Sequence, residues 1–185
     1  MIEQALTVGR TELRLRRPAE PDALIDEQAF ADDEFLPYWA ALWPAGLVLA
    51  SALPKRLDGL RVVELGCGLG VPSLVAAARG ADVTAVDWAA DAIELLAENA
   101  AWNGLSVTGV RADWREFEGA FDLALAADVL YEARNVGPLA ALLPRVAPRG
   151  LVALAGRPYE AEFLELVAFE HVAERVVAVT RASTA

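Results

Sequence analysis

Nine residues, Val62 to Gly70, constrain the fold of this chain more than any other segment. They read VVELGCGLG, so a β-branched strand reaches Glu64 and then runs into Gly66, Gly68 and Gly70. Glycines at a strand end let the backbone turn sharply and approach a bound ligand closely. The pattern predicts a strand, a tight loop and a helix, with a ligand site at the loop. A tight turn without a ligand is the alternative.

Apolar strand-like runs and helical stretches alternate after this point. Strands are predicted at 60–65, 81–86, 105–110, 121–126 and 151–155, and helices at 44–53, 72–79, 90–102, 135–146 and 159–168. Such alternation is typical of a doubly wound α/β fold around a mostly parallel sheet. We therefore expect one Rossmann-like domain over residues 1–185, with its core at 44–185.

The two ends of the chain follow other patterns. Residues 5–17 predict two short strands around Gly9 and Arg10, followed by an acid-rich connection from Pro18 to Glu34. Together they form a short N-terminal extension over residues 1–43. At the other end, residues 170–177 and 179–183 are expected to pair as antiparallel strands.

The amino-acid composition restricts the classes of partner that this chain is expected to bind. The net charge of -11 and a sequence pI near 4.5 disfavour a phosphate backbone, so we expect no nucleic-acid partner. Arg14, Arg16 and Arg17 alternate with leucines, as on a solvated strand face. Cys67 is the single cysteine, and no signal peptide or membrane span is evident. These features predict a cytoplasmic, monomeric enzyme that does not bind membranes.

Metal chemistry also has little support. His171 is the only histidine, so a histidine-rich metal site is excluded and no metal is expected. Cys67 has no histidine beside it in the sequence, and packing explains it better than nucleophilic catalysis does.

The residues after the glycines indicate which ligand the loop takes. Dinucleotide-binding loops share the first two glycines, but here Val71 stands where a third glycine usually falls. Pro72 also lacks the N–H that a pyrophosphate would meet at the helix start. Both departures favour a ligand without phosphates.

Two further positions fit an adenosine. Asp87 ends the second strand of the core 21 residues after Gly66, where a carboxylate can accept both ribose hydroxyls. Capping of the helix that begins near Asp91 is the alternative. Trp114 follows the third strand and could stack on adenine while Asp113 or nearby backbone reads its edge, or it could pack within the loop.

Two more segments give the chain a family resemblance. PYWAALWPAG (37–46) precedes the glycine loop, and DVLY (128–131) follows the fourth strand. With the loop, they resemble the seven-β-strand (class I) S-adenosylmethionine-dependent methyltransferases. More narrowly, they resemble the protein-lysine methyltransferase family that includes the electron-transfer-flavoprotein β-subunit enzyme. The resemblance extends over residues 35–160.

The resemblance implies roles for particular residues. Asp128 and Tyr131 would hold the substrate amine, with Tyr38 and Trp39 as further wall candidates, although Asp128 could instead cap a helix and Tyr131 pack against it. S-adenosylmethionine would contact Trp43, Glu64, Gly66, Cys67, Gly68, Asp87, Trp114 and Ala127.

Three functions stay open at this stage. The resemblance implies N-methylation of lysine side chains in a protein partner. The segment after the fifth strand, 156–185, is short and leaves little chain for a final helix and strand pair, which would suit a small amine, hydroxyl or carboxylate acceptor. A donor-binding protein without catalysis is the third possibility.

Overall fold

The computed structural model describes residues 1–24 and 37–180. Its strands are β1 (Ile2–Val8), β2 (Thr11–Arg17), β3 (Arg61–Leu65), β4 (Asp82–Asp87), β5 (Thr108–Arg111), β6 (Leu123–Ala127), β7 (Arg149–Ala153), β8 (Ala168–Ala173) and β9 (Val176–Thr180). Its helices are α1 (Pro44–Ala52), α2 (Val71–Ala78), α3 (Ala90–Trp102), α4 (Val136–Val146) and α5 (Glu160–Leu166). In these two ranges, no helix has the length and apolar character that a bilayer crossing needs.

Seven strands form one sheet in the order β5-β4-β3-β6-β7-β9-β8. All neighbours from β5 to β7 pair in parallel, and β9 runs antiparallel to both β7 and β8. From β3 the chain builds outward through β4 and β5, then returns to place β6 on the other side of β3. The carboxyl ends of β3 and β6 therefore flank the crevice in which ligands bind in such sheets.

Helices cover both faces of the sheet because its strands are apolar on both sides. Val62 packs with α1, α2 and α3 on one face, and its neighbour Val63 packs with α4 and Phe163 of α5 on the other. The predicted doubly wound, Rossmann-like fold with an antiparallel C-terminal strand is confirmed.

The β1–β2 hairpin lies against α3. Arg14 stacks on the Trp102 ring, with its guanidinium carbon 4.6 Å from the centroid, and donates to the Trp102 carbonyl. Asn99 and Asn103 accept from the backbone N–H groups of Arg16 and Arg14 and donate back to their carbonyls. Arg14 and Arg16 therefore attach the hairpin to the core. The prediction that they lie on a solvated strand face describes their role only in part.

The C-terminal segment differs from its prediction in two ways. The turn between the last strands lies at Glu174 and Arg175, so residues 170–177 are not one strand. Burial explains the difference, because β8 is exposed along its length whereas Val176–Val179 are buried beside β7. The segment also holds a final helix and a strand pair, so the prediction that it leaves little chain for these elements was wrong.

Other boundaries moved by a few residues. The strand predicted at 105–110 begins later, as β5 at Thr108. The reason is that the N–H of Leu105 donates to the Ala100 carbonyl and closes the end of α3. The acid-rich connection from Pro18 to Glu34 lies largely outside the described residues.

Candidate functional site

The glycine loop is attached to the neighbouring strand by its own backbone. The N–H groups of Gly66 and Cys67 both donate to the carbonyl of Val86, at 2.9 and 3.0 Å. The N–H of Gly68 donates to Oδ2 of Asp87 at 2.8 Å. These three N–H groups therefore already donate hydrogen bonds within the protein, so they are not available to a bound phosphate.

Two glycines of the loop are required for different reasons. Gly68 has a φ of +50°, and a Cβ there would lie 3.2 Å from the backbone oxygen of Trp39, so the segment before α1 crosses directly over the loop. Gly70 has a φ of +66°, and a Cβ there would lie 2.5 Å from Cδ1 of Leu96. Gly68 thus permits a close approach at the site, whereas Gly70 permits packing of α3.

Asp87 is buried at the end of β4. Its Oδ2 accepts from Gly68 and its Oδ1 accepts from the N–H of Ala89 at 3.0 Å, which fixes the carboxylate toward the loop. Burial raises the pKa of Asp87 above its ordinary value, although the backbone donors act against that shift. The side chain also borders the cleft described below.

Glu64 is buried beneath the loop. Ser73, in the first turn of α2, donates its backbone N–H at 2.8 Å and also its hydroxyl to Oε2 of Glu64. Burial raises the pKa of Glu64 to about 8, against the lowering effect of the Ser73 bonds, and the nearby Asp87 adds a smaller increase. Glu64 therefore connects β3 to α2 and is largely neutral at physiological pH.

Cys67 lies inside the same loop and is buried. Burial, with the nearby carboxylates of Asp87 and Glu64, raises the pKa of its thiol well above the ordinary value. A thiol held in its protonated form is a poor nucleophile, which agrees with a packing role.

Aromatic side chains form one wall of the site. The ring of Tyr38 lies 5.4 Å from that of Tyr131 and 6.2 Å from that of Trp43, centroid to centroid. The Trp43 indole Nε1–H donates to the Tyr38 carbonyl at 2.7 Å. Burial raises the pKa of Tyr131 to about 12, so its hydroxyl remains protonated.

Trp114 and Trp88 approach from the side of β4 and β5. Trp114 is buried, and a Cβ at Gly66 would lie 3.6 Å from its ring. Trp88 follows Asp87 directly and is 39% exposed. Asp113 is engaged elsewhere, because Arg115 binds both of its carboxylate oxygens at 2.9 and 2.5 Å.

Asp128 follows β6 in an unusual backbone conformation. Its φ is +56°, the left-handed region that Asp tolerates better than most residues do. Its carboxylate accepts from Nε and Nη2 of Arg157 at 2.6 and 2.7 Å, and its side chain is 6% exposed. The Arg157 guanidinium carbon also lies 5.7 Å from the Trp43 ring centroid.

These groups surround one cleft that opens to solvent at the ends of β3, β4 and β6. All ten residues predicted from the sequence line it: Trp43, Glu64, Gly66, Cys67, Gly68, Asp87, Trp114, Ala127, Asp128 and Tyr131. Tyr38 and Trp39, the predicted wall candidates, line it too. The sequence places these residues at separate positions, and the fold brings them together.

Sequence reasoning missed several residues of this region, and two of them bear directly on its chemistry. Trp88 lines the cleft, and its position directly after the strand-end Asp87 is a signal that could have identified it. Arg157 reaches Asp128 from the loop after β7, and no spacing rule connects two residues that lie so far apart in the chain.

Known proteins resemble this chain in both sequence and structure. Residues 62–148 match the model of a family described as a methyltransferase domain. The electron transfer flavoprotein beta subunit lysine methyltransferase of Xenopus laevis is 32% identical over 144 residues, covering 74% of this chain and 58% of the relative. The ribosomal protein L11 methyltransferase of Geotalea uraniireducens is 36% identical over 105 residues, covering 55% and 33%.

Among solved structures, the 16S rRNA N2 G1207 methyltransferase of T. thermophilus, in complex with AdoMet and guanosine, superposes with a TM-score of 0.70. The two are 20% identical, and the match covers 97% of this chain and 50% of that one. Residues 62–148 therefore match a methyltransferase domain in sequence, and the chain shares its fold with this solved methyltransferase. The chain spans less than two thirds of the length of either curated relative.

Proposed function

We propose that this chain binds S-adenosylmethionine in the cleft and transfers the methyl group to a lysine side chain of a protein. The Asp128 carboxylate carries the proposal: it borders the cleft together with the glycine loop, and it binds a guanidinium group that also lies over the ring of Trp43. An incoming amine would meet the same surroundings.

The cleft suits a donor that is positively charged and has no phosphates. Asp87 places a carboxylate at the cleft, the Gly68 N–H already donates to it, and Pro72 has no N–H to offer. A pyrophosphate would meet a carboxylate where it needs donors, whereas a sulfonium and an ammonium group would be attracted. The chemistry of these residues therefore fits S-adenosylmethionine better than a dinucleotide.

We assign Asp87 to the ribose hydroxyls, because its carboxylate is fixed at the strand end and borders the cleft. Trp114 and Trp88 are the two indoles available to the adenine. Glu64 acts on the donor through the loop, since its bonds to Ser73 hold the start of α2. When bound, the donor supplies a methyl group on a positively charged sulfur.

The acceptor side must deliver a neutral amine in line with that methyl group. Tyr38, Trp43 and Tyr131 provide an aromatic wall, and desolvation of a lysine amine against these rings would favour its uncharged form. Asp128 can orient the nitrogen through its carboxylate. The Tyr131 hydroxyl stays protonated and can donate a hydrogen bond or close the wall.

Two further observations favour a protein acceptor. The net charge of -11 would steer a basic target toward the cleft at low ionic strength. The two curated relatives described above also act on proteins, according to their names.

The test is methyl-labelled S-adenosylmethionine incubated with the purified chain and a fractionated cell extract. Proteolysis and mass spectrometry of the labelled fraction should locate the methyl groups on lysine. Label found only on small molecules would move the enzyme to that class of acceptor, and label on RNA would contradict the proposed partner. Donor binding without any transfer would favour a non-catalytic role.

Self-labelling is easily controlled in this chain. Lys55 is its only lysine, so a Lys55→Arg protein removes every lysine acceptor from the enzyme itself. Lysine-bound label that persists in the extract with this variant belongs to another protein.

A further inference from the structure

Arg157 occupies the position that the proposed function assigns to the acceptor amine. Both oxygens of Asp128 accept from its guanidinium, at 2.6 and 2.7 Å. The same guanidinium lies over the ring of Trp43. A carboxylate on one side and an aromatic face on the other form a cation site, and the protein's own side chain fills it.

A second cation has no place beside the first. The Asp128 side chain is only 6% exposed, and each of its carboxylate oxygens already accepts a hydrogen bond from Arg157. An ammonium brought next to the guanidinium would be repelled by like charge in a partly desolvated place. An amine can therefore bind Asp128 only when Arg157 leaves.

Arg157 can leave without rearrangement of its surroundings. Its side chain is 34% exposed, and a displaced guanidinium would be hydrated. The base of its loop is anchored separately, because Glu160 accepts from the N–H groups of Ala155 and Gly156 at 2.6 and 2.9 Å. Motion of one long side chain is sufficient.

The walls of the site are also held independently of Arg157. Trp43 is fixed by its bond to the Tyr38 carbonyl. The left-handed backbone at Asp128 is followed by Val129, whose carbonyl accepts from the buried Asn135 side chain at 2.8 Å. The walls of the site are therefore preformed, and Arg157 can leave without changing them.

We infer that Arg157 is a built-in occupant of the acceptor site, which a lysine ammonium displaces to reach Asp128. This inference rests on the proposed function, because that function places the acceptor amine at Asp128. Arg157 thereby selects acceptors when they bind: an ammonium group can replace its charge and then lose a proton to water before methyl transfer. A group that binds as a neutral species would leave Asp128 without a counter-charge, and an anionic group would add a second negative charge.

The experiment is calorimetry with n-butylammonium, a mimic of the lysine side chain, in the absence of methyl donor. Arg157→Ala should bind it at least about tenfold more tightly than the wild type, and Arg157→Ala with Asp128→Asn should lose that gain, as expected for a charge-assisted pair. Millimolar guanidinium should compete for the site in Arg157→Ala. Equal affinity in wild type and Arg157→Ala would overturn the inference, as would absence of competition.

Two further variants serve as controls for this experiment. Arg56→Ala breaks an exposed arginine–aspartate pair with Asp58 away from the cleft and should leave butylammonium binding unchanged. Arg157→Gln keeps most of the side chain without its charge, so it should gain the amine site even if Arg157→Ala folds poorly. An amine site that opens while no protein lysine is labelled would contradict the proposed function and leave the role of Arg157 standing.

Discussion

The backbone N–H of Gly68 donates to the carboxylate of Asp87 at 2.8 Å and so joins the loop after β3 to the end of β4. The second carboxylate oxygen accepts from Ala89. Any ligand group that binds Asp87 is therefore positioned relative to the glycine loop by the same side chain. Asp87 both shapes the cleft and, by our proposal, binds within it.

Replacing Asp87 with Ala should weaken S-adenosylmethionine binding by about ten- to a hundredfold. The estimate corresponds to about 1.5 to 3 kcal/mol for lost hydrogen bonds to a charged group. Calorimetry measures the change. Asp82→Ala, at the exposed opposite end of the same strand, is the control and should bind like the wild type. Equal losses in both variants would contradict the assignment of Asp87.

Replacing Trp114 with Phe should weaken donor binding if Trp114 stacks on the adenine. Phe is preferable to Ala because Trp114 is a buried core side chain, and its truncation to Ala would cost about 3–5 kcal/mol of stability. Donor titration followed by tryptophan fluorescence and calorimetry gives the affinity. If donor affinity falls in Trp88→Ala but not in Trp114→Phe, the adenine stacks on Trp88 and not on Trp114.

Replacing Glu64 with Gln should flatten the pH dependence of stability between about pH 5 and 8. The folded pKa of Glu64 is about 8, against an ordinary value of 4.5, so the folded chain binds a proton that the unfolded chain lacks in this window. The free energy of unfolding of the wild type should therefore fall as pH rises. The expected contribution is up to about 1.4 kcal/mol per pH unit.

Denaturant unfolding at several pH values measures this slope in both proteins. Burial also raises the pKa of Asp87, so the Glu64→Gln protein should keep part of the slope at the acidic end. An unchanged slope across the whole window would show that Glu64 is ionised in the folded protein.

Asp128→Asn should leave donor affinity near that of the wild type and lower the rate of methyl transfer at least about tenfold, because the lost interaction belongs to the acceptor. Asn suits the left-handed backbone at this position, so the substitution removes charge without new strain. Steady-state kinetics with the identified acceptor gives the rate. Equal rates in the two proteins would remove Asp128 from the mechanism.

Tyr131 can be tested in two steps with the same assay. Tyr131→Phe removes a hydroxyl that stays protonated, since its pKa is about 12, and Tyr131→Ala removes the ring as well. A loss only in the Ala variant would assign Tyr131 a steric role in the wall with Tyr38.

The sequence predicted the fold and the residues of the cleft well for a local physical reason. Strand ends in a parallel sheet meet at one edge, so an acid or a glycine at each strand end is enough to place Gly66, Asp87 and Asp128 together. Strand periodicity and glycine spacing carry that information within short windows of the chain.

The remaining features depend on tertiary packing that no local pattern records. The turn at Glu174 and Arg175 is set by burial against β7, since both sides of it are apolar enough for strands. Arg157 reaches Asp128 across the sheet, and Arg14 finds Trp102 on α3, through contacts between segments far apart in the chain.

Calorimetry of the wild-type chain with S-adenosylmethionine and, separately, with NAD tests the central claim most directly. The acidic, aromatic cleft and the committed Gly68 N–H predict one S-adenosylmethionine site per chain and no comparable binding of NAD. Tight binding of NAD without binding of S-adenosylmethionine would contradict the account.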